Sequence, residues 1–206
     1  MRTSVGLAAL VSLALAAGFG ILPRLGAPDA APTLVAPAVP SVSGPWVSYV
    51  APVSACPGGD ETTASPAEQQ RTMLCLVNYA RGRKGLAPVA TAVPLSTAAA
   101  LKARQIADCG RFDHDPCGTG ADAAFDTSGY KAGVSRWGTG ENLAIASVEI
   151  ASPRRILNGW LESEHHRENL FRPDWREQGV ALLPGVTLDG HPNVNVWVSD
   201  FGFRDS

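Results

Sequence analysis

Half of the sixteen prolines in this 206-residue chain fall within one stretch, and that stretch limits what the chain can fold into. They are separated mainly by Ala, Val and Ser, with almost no charge, and stand at Pro23, Pro28, Pro32, Pro37, Pro40, Pro45, Pro52 and Pro57. Because proline fixes φ and lacks an N–H, the stretch favours extended, polyproline-like backbone over helix. We therefore predict a linker over residues 23–55 and one folded domain over residues 56–206.

The N-terminus has the composition of an export signal. Met1-Arg2-Thr3 precedes an apolar, Ala/Leu-rich run over residues 5–22, and small residues follow within it. This order predicts a signal peptide over residues 1–22. The run is close to membrane-spanning length, so an uncleaved anchor through residues 5–22 is the alternative. Either reading places the domain outside the cell, as a secreted or membrane-anchored protein.

The overall charge of the chain argues against one class of partner, nucleic acid. The formal net charge is -2, and no Lys/Arg-rich run occurs. Nucleic acid is therefore not an expected partner, because its recognition needs a basic field. A hydrophobic content of 45% is enough for one core in a chain of this size, which we expect to be a monomer.

The hydrophobic period changes from helical to strand-like along the domain. Ser65-Pro66-Ala67-Glu68 is a capping box that predicts a helix to about Arg83. Apolar stripes predict further helices over about 95–109, 121–128 and 153–164. Alternating segments predict strands at 180–183 and 194–199, with a candidate at 143–146, and the turn residues are Pro184-Gly185 and Asp189-Gly190. The prediction is an α+β fold with a small antiparallel sheet flanked by about four helices.

The chain has four cysteines, and four cysteines allow three pairings. In an exported chain disulfides are the expected state. We predict Cys56–Cys75, which ties the linker end to the first helix, and Cys109–Cys117, which closes the loop that holds His114. The alternative is a zinc site made of Cys109, His114 and Cys117.

Three short segments concentrate the residues able to do chemistry. They are Phe112-Asp113-His114-Asp115, Gly140-Glu141-Asn142 before a predicted strand, and Ser163-x-x-His166-Arg167-x-Asn169. His165 and His166 follow the last apolar turn of the fourth predicted helix, so we place them at its end or on the loop that leaves it. Taken singly, each segment also fits a solvated helix end or a common turn.

Taken in order, the motifs of residues 71–203 carry a resemblance to a known family. They are Leu74-Cys75-Leu76-Val77-Asn78-Tyr79-Ala80-Arg81 with Gly85-Leu86-Ala87-Pro88, Phe112-x-His114, Gly129-Tyr130, Gly140-Glu141-Asn142-Leu143-Ala144, Trp160-x-x-Ser163-x-x-His166-Arg167-x-Asn169-Leu170, Gly179-Val180-Ala181 and Asp200-Phe201-Gly202. This set resembles the superfamily of cysteine-rich secretory proteins, antigen 5 and pathogenesis-related proteins (the CAP domain), in its bacterial SCP-like branch.

The resemblance implies a three-layer α/β/α sandwich with an open cleft. It implies that His114, Glu141 and His166 converge there as metal-binding or, in an enzyme, catalytic residues. In many members a second acid completes a tetrad, and this chain has Ser163 at that position, so the full tetrad is absent. The residues expected to support the cleft are Asp113, Asp115, Asn142, Ser163, His165, Arg167 and Asn169. Either aspartate could orient the His114 ring, His165 is an alternative ligand or simply exposed, and Arg167 and Asn169 are expected to hold backbone groups and carboxylates.

Two imidazoles and a carboxylate match the preferences of zinc or another divalent metal such as copper. With a bound metal and Glu141 as base, the cleft would suit a metal-dependent hydrolase of peptides or cell-wall polymers. The chain lacks His-Glu-x-x-His and Gly-x-Ser-x-Gly, however, which removes two common hydrolase signatures. A third interpretation is a purely structural network in which the histidines hydrogen-bond to Glu141.

These observations favour a non-enzymatic binding module acting outside the cell or at the cell wall. Its partner would be an extracellular or cell-wall ligand that the sequence does not name. The alternatives are the hydrolase and, as the superfamily resemblance suggests, a carrier of a small lipid or sterol.

Overall fold

The structure, a computed structural model, describes residues 42–205. The predicted signal peptide or anchor and residues 23–41 of the predicted linker lie outside the described residues. Between residues 42 and 205, none of the helices combines the length and apolar character needed to cross a bilayer.

Five α-helices occur in the described part of the chain. A short 3₁₀ turn at Val47–Tyr49 precedes them, and they are α1 (Pro66–Arg83), α2 (Val93–Cys109), α3 (Ala123–Thr127), α4 (Pro153–Glu162) and α5 (Glu164–Leu170). The predicted capping box begins α1, because the Glu68 N–H donates to Ser65 Oγ at 3.3 Å and the Ser65 N–H donates to Glu68 Oε2 at 2.9 Å. The helices predicted from caps and apolar stripes are therefore present, within a few residues of the predicted ends.

The prediction that places His165 and His166 at the end of α4 or on a loop is wrong. Both histidines lie within α5, a separate helix. Ser163 is the reason, since its extended backbone (φ -84°, ψ 123°) ends α4, and its carbonyl then accepts from the Arg167 N–H at 2.9 Å to begin α5. The break redirects the chain, so the two histidines do not continue the face of α4.

The sheet has four strands in the order β1-β3-β4-β2. They are β1 (Ala90–Thr91), β2 (Arg136–Ser147), β3 (Glu177–Leu188) and β4 (His191–Asp205). Strands β2, β3 and β4 are antiparallel, but β1 pairs with β3 in parallel, so the sheet is mixed and not wholly antiparallel as predicted. No hairpin joins β1 to β3, so hairpin geometry does not impose an antiparallel direction on this pair.

The strands are longer than the sequence pattern predicts. Gly140-Glu141-Asn142 lies inside β2 and does not precede a strand, because all three residues are paired with β4. Pro184 and Gly185 also lie inside a strand, at a shift of the β3–β4 register after Leu183, and form no turn of their own. The turn between β3 and β4 is made by Asp189 and Gly190, both with positive φ, as their residue types predict.

The helices cover both faces of the sheet. Helix α2 packs Ala99, Ala103 and Ile106 against apolar residues of all three long strands. On the opposite face α1 and α4 bury a larger cluster that includes Trp160, Trp175, Trp197 and Phe201. The predicted three-layer α/β/α arrangement is confirmed. Val50 and Ala51 are buried in the larger cluster, so packing extends upstream of Cys56.

Both predicted disulfides are present. Cys56 is bonded to Cys75 and Cys109 to Cys117, and none of the four cysteines is free. A zinc site that uses Cys109 and Cys117 is therefore wrong, because each sulfur is already bonded to the other.

Candidate functional site

Strand β2 organises the candidate site by sending two consecutive side chains to opposite faces of the sheet. In a strand, neighbouring side chains alternate between faces. Glu141 points to the face covered by α2, where it meets Lys102 and His114. Asn142 points to the other face, where it meets α5. Because β2 is at the edge of the sheet, the His114 loop and α5 approach this edge from its two sides.

His114 lies on a loop that is held at three points. Helix α2 ends at Gly110, whose left-handed backbone (φ 64°) suits glycine and starts the loop. The Cys109–Cys117 disulfide closes it. The buried ammonium of Lys102 donates to the carbonyls of His114 and, at 3.0 Å, of Ala121. The loop thus has its backbone tied to α2 before any ligand is considered.

The His114 ring is oriented by Glu141. Its Nδ1 lies 2.6 Å from Glu141 Oε1, and the Glu141 side chain is only 7% exposed. Since a carboxylate can only accept, Nδ1 carries the proton and donates, which leaves the lone pair of Nε2 for another partner in the neutral ring. The hydrogen bond to Glu141 raises the pKa of His114 above its ordinary value, against the opposing effects of burial and of the Lys102 charge.

Lys102 and Asp200 complete a buried charged group beneath the histidine. Lys102 Nζ lies 3.7 Å from Glu141 Oε2. Asp200 stands directly opposite Glu141 in the β2–β4 register and is fully buried, and neither of its carboxylate oxygens has a hydrogen-bond partner among residues 42–205. Burial and the neighbouring Glu141 charge raise the pKa of Asp200 well above its ordinary value, while Lys102 opposes the shift. Burial therefore disfavours the charged form of Asp200.

On the other face, Asn142 fixes α5. Its Nδ2 donates to the His166 carbonyl at 3.0 Å, and its Oδ1 accepts from Asn169 Nδ2 at 2.9 Å. Gly140, on the same face, leaves room for this contact, since a Cβ there would collide with Asn169 and with Trp175. Each residue of the Gly-Glu-Asn sequence therefore has its own role. Gly140 allows α5 to approach closely, Glu141 orients His114, and Asn142 holds the helix that carries His166.

His166 is half-buried, and burial lowers the pKa of its ring below the ordinary value. The positive charges of His114 and His165 lower the pKa of His166 further, which means that the three imidazoles are electrostatic neighbours. His165 itself is exposed. The pKa shifts of His114 and His166 therefore have opposite directions, so protonation is favoured at His114 and disfavoured at His166.

The remaining predicted residues have structural contacts. Asp113 Oδ1 accepts from the Asp115 N–H at 2.8 Å, and Asp115 Oδ1 accepts from the Gly120 N–H at 2.9 Å. Neither bonds to the His114 ring, so the prediction that one of them orients it is wrong, because Glu141 already occupies Nδ1.

Arg167 holds backbone, as predicted, by donating to the Leu161 carbonyl at 2.7 Å. The Asn169 side chain instead donates to the Asn142 amide oxygen, and the Asn169 backbone carbonyl accepts from Trp175 Nε1 at 2.7 Å. Ser163, at the position of the missing tetrad acid, is the break between α4 and α5.

The donor set fits a metal only in part. Residues 42–205 contain no group of three or more His, Cys, Asp and Glu side chains arranged to hold a metal ion. Glu141 Oε1 is hydrogen-bonded to His114, and its buried Oε2, which has no hydrogen-bond partner among residues 42–205, lies 3.7 Å from the Lys102 ammonium. His114 through Nε2 and His166 are the two side chains that could bind an ion directly, with Glu141 behind His114 as the acceptor that orients a metal-binding imidazole.

Sequence reasoning missed Lys102 and Asp200. A signal for Lys102 was present, because it falls on the buried stripe of α2 with Ala98, Ala99 and Ala103, where a lysine needs a partner. Asp200 stands in the motif Asp200-Phe201-Gly202, but only the pairing of β2 with β4 places it against Glu141.

Comparison with known proteins shows the family of the chain. The family model described as "Cysteine-rich secretory protein family" (CAP) matches residues 74–201. A curated relative from Bacillus subtilis, described as uncharacterized protein YkwD, is 30% identical over 130 residues, which are 62% of this chain and 48% of the relative. The chain thus spans about half the length of that relative.

Solved structures of bacterial proteins share the fold. An extracellular protein containing an SCP domain from Bacillus anthracis aligns with a TM-score of 0.51 at 23% identity, covering 66% of this chain and 40% of that one. An outer surface protein from Borrelia burgdorferi aligns with a TM-score of 0.54 at 20% identity, covering 67% of this chain and 94% of that one. A cysteine-rich secretory protein from Staphylococcus aureus aligns with a TM-score of 0.51 at 17% identity, covering 70% of this chain and 41% of that one.

Proposed function

Because the chain belongs to the cysteine-rich secretory protein (CAP) family, we propose that it is a non-enzymatic extracellular binding module whose cleft holds a divalent metal between His114 and His166. The hydrogen bond from His114 Nδ1 to Glu141 Oε1 carries this proposal. It gives the imidazole the orientation and tautomer that metal-binding histidines have when a carboxylate stands behind them.

Zinc and copper are the metals that this pair would favour. Imidazole nitrogen suits both, and water or a group from a partner would complete the coordination. A bound ion would supply a Lewis-acid contact for that partner group. Glu141 would position His114, and Lys102 would keep Glu141 in place. The ion would have to displace the proton from His114, whose pKa is raised, so metal affinity should increase with pH.

The extracellular location has two supports. Both disulfides favour an oxidising compartment. One structural neighbour is described as extracellular and another as an outer surface protein. The absent second tetrad acid, replaced by Ser163, supports a binding role over acid–base catalysis.

Calorimetric titration of the purified protein with Zn²⁺ and Cu²⁺ tests the proposal. We expect saturable binding that His114→Ala and His166→Ala each abolish and that His165→Ala leaves intact, since His165 is the exposed neighbour in the same helix. Glu141→Gln should weaken binding about tenfold or more by removing the orienting carboxylate. No saturable binding, or equal losses in all three histidine variants, would contradict the proposal.

A further inference from the structure

A groove of about 650 Å³ runs from His166 along the open edge of β2. Most side chains that line it are apolar, and two of them, Phe112 and Ile150, are large hydrophobic residues that remain 37% and 44% exposed. No Asp or Glu is among the described residues that line the groove, and Arg155 is the one strong cation there. The groove is therefore mainly apolar, and its lining includes one guanidinium group, that of Arg155.

The groove follows the edge of the strand and not one of its faces. It contacts the four consecutive residues Leu143, Ala144, Ile145 and Ala146. Since side chains of neighbouring strand residues point to opposite faces, a cavity that contacts four in a row must lie against the backbone edge between the faces. Helix α4 forms the facing wall, with Ile156, Gly159 and Trp160.

On the side away from β4, the strand directs backbone groups into this groove that no other strand of residues 42–205 pairs. The Leu143 carbonyl accepts from Trp160 Nε1 at 3.1 Å, so it points away from β4. In an antiparallel strand the N–H and C=O of one residue point to the same side, and the side alternates along the chain. Ile145, two residues on, therefore also directs its N–H and C=O outward, into the groove. An edge with free donors and acceptors is a template for another strand.

We propose that this groove binds an extended peptide, which adds to β2 as a fifth strand and places a carboxylate at Arg155. The backbone of Ile145 would pair with the peptide backbone, and the apolar walls would receive its side chains, as in other cases of strand addition. The guanidinium offers five N–H donors, so Arg155 can keep its own intramolecular interaction and still bind a carboxylate.

The length of the groove sets the length of the peptide. Arg155 and Ser163, which line opposite ends of the α4 wall, are eight residues apart, or roughly 12 Å along a helix. An extended chain advances about 3.3 Å per residue, so the groove accommodates about four residues. This partner does not require a metal, so the inference goes beyond the proposed metal cleft, which it adjoins at His166.

The test is a binding titration in EDTA with the synthetic peptide acetyl-Thr-Val-Thr-Leu that has a free C-terminal carboxylate. We expect saturable binding, with the Ile145 amide becoming protected from hydrogen exchange. Because EDTA removes metal, failure here leaves the metal proposal untouched, and failure of the metal titration leaves this one untouched. No saturable binding of this peptide would overturn the inference.

Two pairs of variants locate the peptide. Ile145→Pro removes the outward N–H, which an edge strand tolerates, whereas Ile145→Val keeps it. We expect Pro to weaken binding about fivefold, the value of one net hydrogen bond, and Val to have little effect. Gly159→Phe should block the groove and abolish binding, while Gly159→Ala should not, because a Cβ at Gly159 meets open space. Binding unchanged in Gly159→Phe would overturn the inference.

The carboxylate is tested by a double-mutant cycle. Amidating the peptide C-terminus should weaken binding about tenfold to the wild-type protein and hardly at all to Arg155→Gln, if the two groups pair. Decanoate provides the comparison with a lipid ligand. If decanoate protects the groove and the peptide neither binds nor competes with it, the occupant is a lipid and the peptide proposal is wrong.

Discussion

Glu141 lies between a histidine and a lysine, with one carboxylate oxygen facing each. Asp200 stands opposite it on β4, so two buried carboxyl groups are neighbours, and Lys102 is paired with Glu141. Lys102 supplies the opposite charge to Glu141, while burial favours the protonated form of Asp200. The orientation of His114 therefore depends on residues that do not themselves face the cleft.

Lys102→Met tests this dependence. The change leaves Glu141 without its cation in a site where both side chains are at most 7% exposed, and it removes the donor to the His114 and Ala121 carbonyls. We expect a loss of about 3 kcal/mol in the free energy of unfolding, measured by urea denaturation. Lys131→Met is the control, because its partners Asp122 and Asp126 are 56% and 64% exposed, and it should cost under about 1 kcal/mol. Equal losses of unfolding free energy in the two variants would show that Lys102 is not a buried counter-charge to Glu141.

The two cleft histidines should give stability opposite pH dependences. The pKa of His114 is raised, so its stabilising contribution is present below its ordinary value of 6.5 and is lost as pH rises through the folded-state pKa. The pKa of His166 is lowered, so its contribution is present above 6.5 and is lost as pH falls toward the folded-state pKa.

Urea denaturation of the wild type, His114→Gln and His166→Gln from pH ~5 to ~8 measures both effects. The stability advantage of the wild type over His114→Gln should shrink with rising pH, and its advantage over His166→Gln should shrink with falling pH. Slopes of the same sign would show that the rings do not occupy the environments described.

At the level of single residues, the sequence predicts three candidate site residues. His114, Glu141 and His166 stand in motifs whose order carries the family resemblance, and the structure brings the first two into contact. Lys102 and Asp200 escaped prediction because their roles depend on helix–sheet packing and strand register, which act between residues far apart in sequence.

At the level of secondary structure, local signals were reliable where a cap defines an end. Ser65 with Glu68 begins α1, and Gly110 ends α2. The break at Ser163 was missed because nothing in its neighbours forbids a continuous helix. The length of β2 was underestimated because Gly140, Glu141 and Asn142 have low strand propensity. They are in a strand only because β4 pairs with them.

The packing of α2 on the sheet depends on a glycine. A Cβ at Gly179 of β3 would fall well inside contact distance of the α2 backbone at Leu95 and Ser96, so Gly179→Ala must push the helix that carries Lys102 off the sheet. We expect a loss of at least about 2 kcal/mol in the free energy of unfolding.

Gly82→Ala in α1 is the matched control for this change. Its added methyl group meets open space, and replacing a helical glycine should stabilise by about 0.5–1 kcal/mol. Thermal denaturation of both variants measures the difference. A small effect of Gly179→Ala would show that α2 lies farther from β3 than described.

For the whole molecule, the sequence predicted the three layers but not the strand order of the sheet. Helical segments followed by strands predict a layered α/β domain. Both predicted disulfides, Cys56–Cys75 and Cys109–Cys117, are also present. The order β1-β3-β4-β2 and the parallel β1 depend on long-range pairing that no local pattern records. That order puts β2 at the edge, which is why the cleft and the groove share one strand.

The central claim is that Glu141 holds His114 through Nδ1 and leaves Nε2 available for a metal ion that His166 also binds. Nitrogen-15 NMR of the imidazole rings, with and without Zn²⁺, tests it most directly. We predict that neutral His114 carries its proton on Nδ1 and that Zn²⁺ shifts the unprotonated nitrogens of His114 and His166 together. A proton on Nε2 of neutral His114, or a response to Zn²⁺ from one ring alone, would contradict the claim.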